Sequence, residues 1–394
     1  MSTQHFPYLI VGGGMTGDAA VRGIRKVDAD GKIAMFSQEN DPPYDRPPLT
    51  KALWKGRPVE RIWRKTVDLG VDLHLGRKIE QLDAAHKQVI DDLGNVYSYD
   101  KLLLATGVSP IRLPSAPAGV IFYRTLEDYR RLRLLTEQGN RIAVIGGGFI
   151  GSELAASLSM LNKEGTIIFP DAGIGAKIFP RPLSQYLNDY YRQKGVTVLA
   201  GRKVKAIEEK DSQYRVLLDD GQELAVDGVV AGLGVRLNLE LALQAGLAVD
   251  NGIIVDAFMQ TSQPDIYAAG DVISFYNQDL DQRMRVEHEE NANQTGTLAG
   301  QAMAGQPEPY HFLPSFYSDL FELGYEAVGE TNPGLEVVED WSEPFKQGVI
   351  YYMKSNRVRG VLLWNVWQKL KDARQVIAEP GPFNTDDLKG RIKA

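Results

Sequence analysis

Tyr8-Leu9-Ile10-Val11-Gly12-Gly13-Gly14-Met15-Thr16-Gly17 is the stretch on which the fold turns. Four apolar residues run into a G-x-G-x-x-G loop, and the small-residue run Asp18-Ala19-Ala20-Val21 follows. The apolar run reads as a strand and the loop as the turn into a helix. Gly12 permits the tight turn, Gly14 lets backbone approach a pyrophosphate, and Gly17 lets the helix pack close to the sheet. The helix N-terminus then offers N–H groups and a positive dipole to the phosphates. A second strand, Lys32-Ile33-Ala34-Met35-Phe36, comes next, with Glu39 after it at the spacing of a ribose-binding acid. Glycine clusters also make ordinary turns. Strand, helix and acid in one unit favour a dinucleotide fingerprint over that reading.

The pattern occurs twice. Ile142-Ala143-Val144-Ile145 leads into Gly146-Gly147-Gly148-Phe149-Ile150-Gly151, and the strand Thr166-Ile167-Ile168-Phe169 follows. Asp171 lies 20 residues beyond Gly151. No Arg stands immediately beside it to take a 2′-phosphate, which favours a free ribose and so NADH over NADPH. Two βαβ units predict parallel sheet and an α/β fold. Two complete fingerprints imply two dinucleotides in tandem, the arrangement that passes a hydride from one to the other.

Composition bounds the rest. At ~150 residues per domain, 394 residues predict two or three domains. A net charge of −7 argues against a nucleic-acid backbone binder. Zero Cys excludes disulfides, a Cys-based zinc or iron–sulfur site on this chain, and thiol catalysis. No run approaches the ~18 apolar residues of a membrane span. The N-terminus lacks a basic segment followed by a long apolar one, so a cytoplasmic protein is expected. Residues 40–48 and 111–119 are Pro-rich loops, the second a crossover between domains. Tyr214 to Leu218, Asp220-Gly221 and Leu224 onward predict a hairpin. After Pro307, strands at 348–354 and 358–364 and a helix near 368–378 predict a mixed α/β unit.

Four segments carry a resemblance: Pro43-Tyr44-Asp45-Arg46-Pro47-Pro48-Leu49-Thr50-Lys51, Leu104-Ala105-Thr106-Gly107, Gly146 to Ala155, and Ile266-Tyr267-Ala268-Ala269-Gly270-Asp271. With them the chain resembles the FAD/NAD-linked ferredoxin reductase and apoptosis-inducing factor family. The likeness to apoptosis-inducing factor is the closest, through Phe169-Pro170-Asp171, Gly175 to Ile178, Arg285-Val286-Glu287-His288, Tyr317-Ser318-Asp319-Leu320, Gly324 to Ala327 and Leu363-Trp364-Asn365. The resemblance implies two Rossmann-like, glutathione-reductase-like domains and a C-terminal mixed α/β domain. FAD would occupy 1–113 with 243–308, NAD 114–242, and the interface domain 309–394.

The resemblance also implies site residues. FAD would be held by Gly12, Gly14, Met15, Thr16, Gly17, Glu39, Arg46, Ile79, Thr106, Gly107, Gly270 and Asp271, with Arg130 reaching toward it. Lys51 and Glu153 would form a buried catalytic pair at flavin N5, with Phe149 near the ring. Glu287, His288 and Tyr317 would lie by the isoalloxazine. NAD would be held by Gly146, Gly148, Phe149, Ile150, Gly151, Glu153, Asp171, Lys177, Gly234 and Glu326. Plainer readings stand beside these. Lys51 also reads as a surface helix cap, Glu153 as an exposed helix residue, His288 as a polar seam residue and Tyr317 as core. Arg130-Arg131-Leu132-Arg133 reads as a solvated helix face. Tyr351, Tyr352, Trp364 and Trp367 read as core. Glu287, Glu289 and Glu290 read as a helix start rather than a metal cluster.

There are departures. The family's ribose acid aligns with Gln38, leaving Glu39 to substitute, and its Trp-Ser-Asp motif begins with Tyr317 here. The mammalian protein's long C-terminal insertion has no counterpart between Asn332 and Gln347, and its presequence is not seen. Related disulfide reductases need a Cys pair, and NADH peroxidases and water-forming oxidases need one Cys. The resemblance implies FAD-dependent NADH oxidation, passing electrons to a small iron–sulfur protein of ferredoxin or rubredoxin type. Two alternatives stay open. One is a redox-responsive flavoprotein whose long-lived charge-transfer complex controls oligomerisation or partner binding, with a homodimer as one expected assembly. The other is an NADH:quinone or NADH:dioxygen reductase.

Overall fold

The Gln4–Val11 strand organises the first of two compact units, Met1–Arg46, Pro58–Ser109 and Arg236–Pro314. In the computed structural model, which describes residues 3–211 and 213–393, it pairs in parallel with Ile33–Ser37 on one side and Val96–Leu104 on the other. Val71–Leu75 extends the parallel order beyond Ile33–Ser37, and Ile266–Ala268 pairs with the end of Val96–Leu104. Gln88–Asp91 and Ile79–Asp83 complete the sheet antiparallel. Leu9, Ile10, Ala34, Met35 and Leu102 to Leu104 are fully buried. Continuous apolar runs of this kind belong to strands covered on both faces. The helix Met15–Val27 leaves the end of the first strand and packs closely on Glu289–Met303. A Cβ on Gly300 would stand 2.1 Å from the Ala20 carbonyl oxygen, so small residues set that approach.

The second unit comprises Pro47–Arg57, Pro110–Val235 and Ser315–Ala394. Its parallel sheet runs Thr197–Ala200, Glu164–Phe169, Arg141–Ile145, Gly228–Ala231, Ile121–Phe122. The expected hairpin is present as Gln213–Leu218 and Glu223–Val226, with Val204–Lys210 as a third antiparallel strand. A five-stranded antiparallel sheet follows, in the order Ser315–Leu320, Leu323–Gly329, Arg357–Trp364, Gln347–Lys354, Glu336–Glu343. The helix Leu370–Ala378 packs on it. Tyr351, Tyr352 and Trp364 are fully buried rings of this sheet, as is Tyr325. Trp367 corrects the reading of all four aromatics as core: it is 47% exposed. The strand ends at Trp364 and Asn365 turns left-handed, so strand alternation no longer applies three residues on.

This C-terminal sheet grips the segment that follows Asp171. Phe179 meets Tyr325 and Trp364 edge-on at 5.1 and 5.4 Å between centroids. The Tyr352 hydroxyl donates to the Ile178 carbonyl at 2.6 Å. Among the described residues no helix is long and apolar enough to cross a membrane.

Candidate functional site

The first glycine loop has two kinds of glycine. Gly12 sits at φ 126°, and a Cβ there would stand 2.0 Å from the Ala105 carbonyl oxygen. Gly14 is different: the nearest atom to its would-be Cβ is the Arg46 guanidinium, 3.8 Å away. Gly14 is also the helix N-cap and makes no side-chain cap bond. The loop is thus tight where it turns and open where a pyrophosphate would lie, the geometry of a phosphate cradle.

Glu39 and Arg46 meet beside this loop. The Glu39 carboxylate accepts from Arg46 Nη2 and from the Tyr44 hydroxyl, each at 2.5 Å. Burial works against the Arg46 charge, but Tyr44, Glu39 and Asp271 hold the guanidinium above its ordinary range. Glu39, Arg46 and Asp271 therefore share one electrostatic neighbourhood. Met15 Sδ accepts from the Arg46 N–H at 3.4 Å, and Gly270 N–H donates to Thr295 Oγ1 at 3.0 Å. Thr106 Oγ1 donates to the Asn238 carbonyl at 2.8 Å, and Gly107 follows at φ 59°. Thr16 and Ile79 are buried. Gln38 is exposed.

Sequence reading missed what anchors Asp18. This fully buried acid in the helix's first turn is held by Arg22 at 2.8 Å, Arg64 at 2.7 Å and the Thr66 hydroxyl at 2.7 Å. Arg64 also pairs with Asp45 at 2.8 Å and donates to Asn293 at 2.8 Å. Only Arg22, at i+4, could have been found by spacing. His288 precedes the helix Glu289–Met303 as its N-cap, so Glu289 and Glu290 do start a helix. Burial, helped by Arg285, pushes the His288 imidazole down to about 3. Glu287 is paired with Arg285 at 2.6 Å.

The second loop repeats the first. Gly146 sits at φ 117°, with a would-be Cβ 2.3 Å from the Gly232 carbonyl oxygen, whereas nothing lies within 4 Å of a Cβ on Gly148. Gly148 too is a helix N-cap without a side-chain cap bond. Asp171 is half-buried past the end of the second strand, and Lys177 and Gly234 are exposed. Ile150 is half-buried and Phe149 is 39% exposed, its ring edge-on to Phe316 at 5.5 Å. Glu326 is half-buried on Leu323–Gly329.

Lys51 and Glu153 come together within the second unit. Lys51 Nζ lies 2.7 Å from Glu153 Oε1, with side chains 12% and 4% exposed. Ser318 donates to the same oxygen at 2.5 Å, and the Thr50 hydroxyl donates to Oε2. A buried carboxylate is sustained by such full engagement. Lys51 Nζ also lies 5.1 Å from the Tyr317 ring centroid. Tyr317 is 42% exposed, so it is a presented ring and not core. Arg130 lies on the exposed face of Leu126–Gln138, 3.6 Å from Glu127. Among the described residues no group of three or more His, Cys, Asp or Glu could hold a metal ion.

Residues 6–296 match the family model described as pyridine nucleotide-disulphide oxidoreductase. Residues 336–379 match the one described as apoptosis-inducing factor, mitochondrion-associated, C-term. The chain is 32% identical to mitochondrial apoptosis-inducing factor 1 of Dictyostelium discoideum, over 95% of this chain and 78% of the relative. It is 32% identical to putidaredoxin reductase of Pseudomonas putida, over 96% and 93%. It is 33% identical to monodehydroascorbate reductase 3 of Arabidopsis thaliana, over 96% and 94%. Among solved structures, the covalent putidaredoxin reductase–putidaredoxin complex superposes with a TM-score of 0.89 at 30% identity, over 98% of this chain and 95% of that one. A ferredoxin reductase from Rhodopseudomonas palustris gives 0.88 at 28%, over 96% of both.

Proposed function

This chain belongs to the pyridine nucleotide-disulphide oxidoreductase family, and from that premise we propose that it oxidises NADH and passes the electrons to a small iron–sulfur protein. It is an oxidoreductase that binds FAD and NAD(H). The disulphide of the family's name has no counterpart here, because the chain contains no Cys. FAD, when bound, supplies a hydride acceptor that can release electrons onward.

The chain's own residues divide the work. Gly12, Gly14 and the buried Met15 to Gly17 turn cradle the FAD pyrophosphate. Glu39 takes the adenosine ribose, Arg46 the phosphates and Asp271 the ribityl hydroxyls. Thr106 and Gly107 line the same domain. Gly146, Gly148 and Gly151 cradle the pyrophosphate of NADH, and Asp171 takes its ribose. Lys51 and Glu153 are the charged partners of the flavin ring. His288, kept neutral by burial, can offer a hydrogen bond without adding a charge. The proposed division by cofactor is 1–113 with 243–308 for FAD, 114–242 for NAD and 309–394 for the C-terminal sheet, although residues 47–57 pack within the second compact unit.

The observation that carries the acceptor is likeness along nearly the whole chain to reductases named for ferredoxin or putidaredoxin. Ferredoxins are Cys-ligated iron–sulfur carriers. A second reading, a redox-responsive interaction protein, is favoured by the match over residues 336–379. Steady-state assay with a [2Fe–2S] ferredoxin, beside light scattering with and without NADH, separates the two. Carrier reduction far faster than dioxygen consumption, with constant mass, supports the first. Slow turnover with every acceptor and an NADH-dependent change in mass supports the second.

A further inference from the structure

Asp171 has Pro170 and Ala172 as neighbours, so the sequence places no cation next to it. The fold supplies one from another strand. Thr197–Ala200 pairs in parallel with Glu164–Phe169, Phe169 lying opposite Ala200. Just past that register the Gly201 N–H donates to the Asp171 carbonyl at 2.9 Å, and the Arg202 N–H donates to the Phe169 carbonyl at 3.0 Å. Adjacent strands lie ~4.8 Å apart, so Arg202 starts one strand spacing from Asp171. A long guanidinium side chain spans that distance, and it is the residue type best matched to a phosphate.

That guanidinium is already committed. Arg202 Nε lies 2.7 Å from the Asp220 carboxylate. Asp220 sits in the turn of the Gln213–Leu218 and Glu223–Val226 hairpin. The turn is fixed in place: Asp220 Oδ1 accepts from the Gln222 N–H at 3.0 Å, and the Asp219 N–H donates to the Lys203 carbonyl at 2.9 Å. Asp219 Oδ1 in return accepts from the Lys203 N–H at 3.1 Å. An acidic turn is thus docked against the basic turn that adjoins Asp171.

We propose that Asp220 is a specificity-determining residue that acts by position. It holds Arg202 away from a 2′-phosphate, while Asp171 repels that phosphate directly. The preference for NADH over NADPH then has two separable parts, one on the ligand and one on the cation that would otherwise receive it. The inference rests on the reading that Asp171 binds the ribose of NADH. The Arg202–Asp220 pair is half-exposed, with side chains 45% and 32% accessible. Its release therefore yields a modest gain, about fivefold in affinity.

Titration calorimetry of the FAD-loaded protein with NAD+ and NADP+ tests this without turnover. In Asp220→Asn, NADP+ affinity should rise about fivefold and NAD+ affinity should change by less than about twofold. Adding Arg202→Ala to Asp220→Asn should abolish the gain. No gain in Asp220→Asn overturns the proposal, and so does a gain that survives Arg202→Ala, which would point to Lys177. Asp171→Ala separates the levels. A loss of about tenfold or more in NAD+ affinity upholds the ribose reading. Unchanged NAD+ affinity in that variant overturns the reading and the proposal together, whereas a loss there with no effect of Asp220→Asn overturns the proposal alone.

Discussion

Glu153 shows how one residue depends on its partners. Its carboxylate is 4% exposed and engages Lys51, Thr50 and Ser318. Glu153→Ala would leave the Lys51 ammonium largely buried without its anion, a change expected to cost about 3–5 kcal/mol. Urea denaturation of Glu153→Ala checks this, and a loss below about 1 kcal/mol would count against a paired buried charge. Glu153→Gln keeps the chance to bond Thr50 and Ser318 and should lose less. His288 gives a pH signature. Its ordinary value is 6.5, and burial holds it at about 3. Above pH 6.5 the imidazole is neutral in both folded and unfolded chains. Between 6.5 and about 3 the unfolded chain takes up a proton that the folded one refuses, so stability falls as the pH drops through that window. His288→Asn should flatten that part of the stability–pH curve; an identical slope in the variant would refute the assignment.

At the scale of elements, the two glycine turns separate fold from ligand. A Cβ on Gly151 would stand 1.8 Å from the Gly146 carbonyl oxygen, whereas one on Gly148 meets nothing within 4 Å. Gly151→Ala should therefore destabilise the protein by more than about 2 kcal/mol. Gly148→Ala should fold normally and weaken NADH binding tenfold or more, since its methyl group enters the phosphate space. Calorimetric melting and NADH titration of both variants check the contrast; a Gly148→Ala protein with unchanged NADH affinity would remove the loop from the site. These turns were legible in the sequence because strand, glycines, helix and acid follow one another within ~30 residues. The hairpin at Asp220-Gly221 was legible because a turn dipeptide separates two strand-like runs. Arg202 beside Asp171 was not, because parallel register joins residues with no sequence relation. Arg64 on Asp18 was hidden likewise, 46 residues away. Trp367 was misread because alternation was carried past the strand's end.

Over the whole molecule, each unit is assembled from three separated stretches of chain. Neither is a contiguous half, and composition alone offers no sign of that. The resemblance implied one split domain, 1–113 with 243–308, and two continuous ones, 114–242 and 309–394. The absence of cysteine is the strongest whole-chain constraint on chemistry. It removes thiol relay from a family named for disulphides and leaves electron flow to the bound dinucleotides and to an outside acceptor. The most direct test of that account is anaerobic double-mixing stopped flow on the FAD-loaded protein. NADH is added first and an oxidised [2Fe–2S] ferredoxin second, while flavin absorbance is followed. The account expects bleaching by NADH, then recovery of the flavin band by ferredoxin at a rate well above that with air-saturated buffer. Flavin that NADH does not bleach, or that ferredoxin restores no faster than air does, would contradict it.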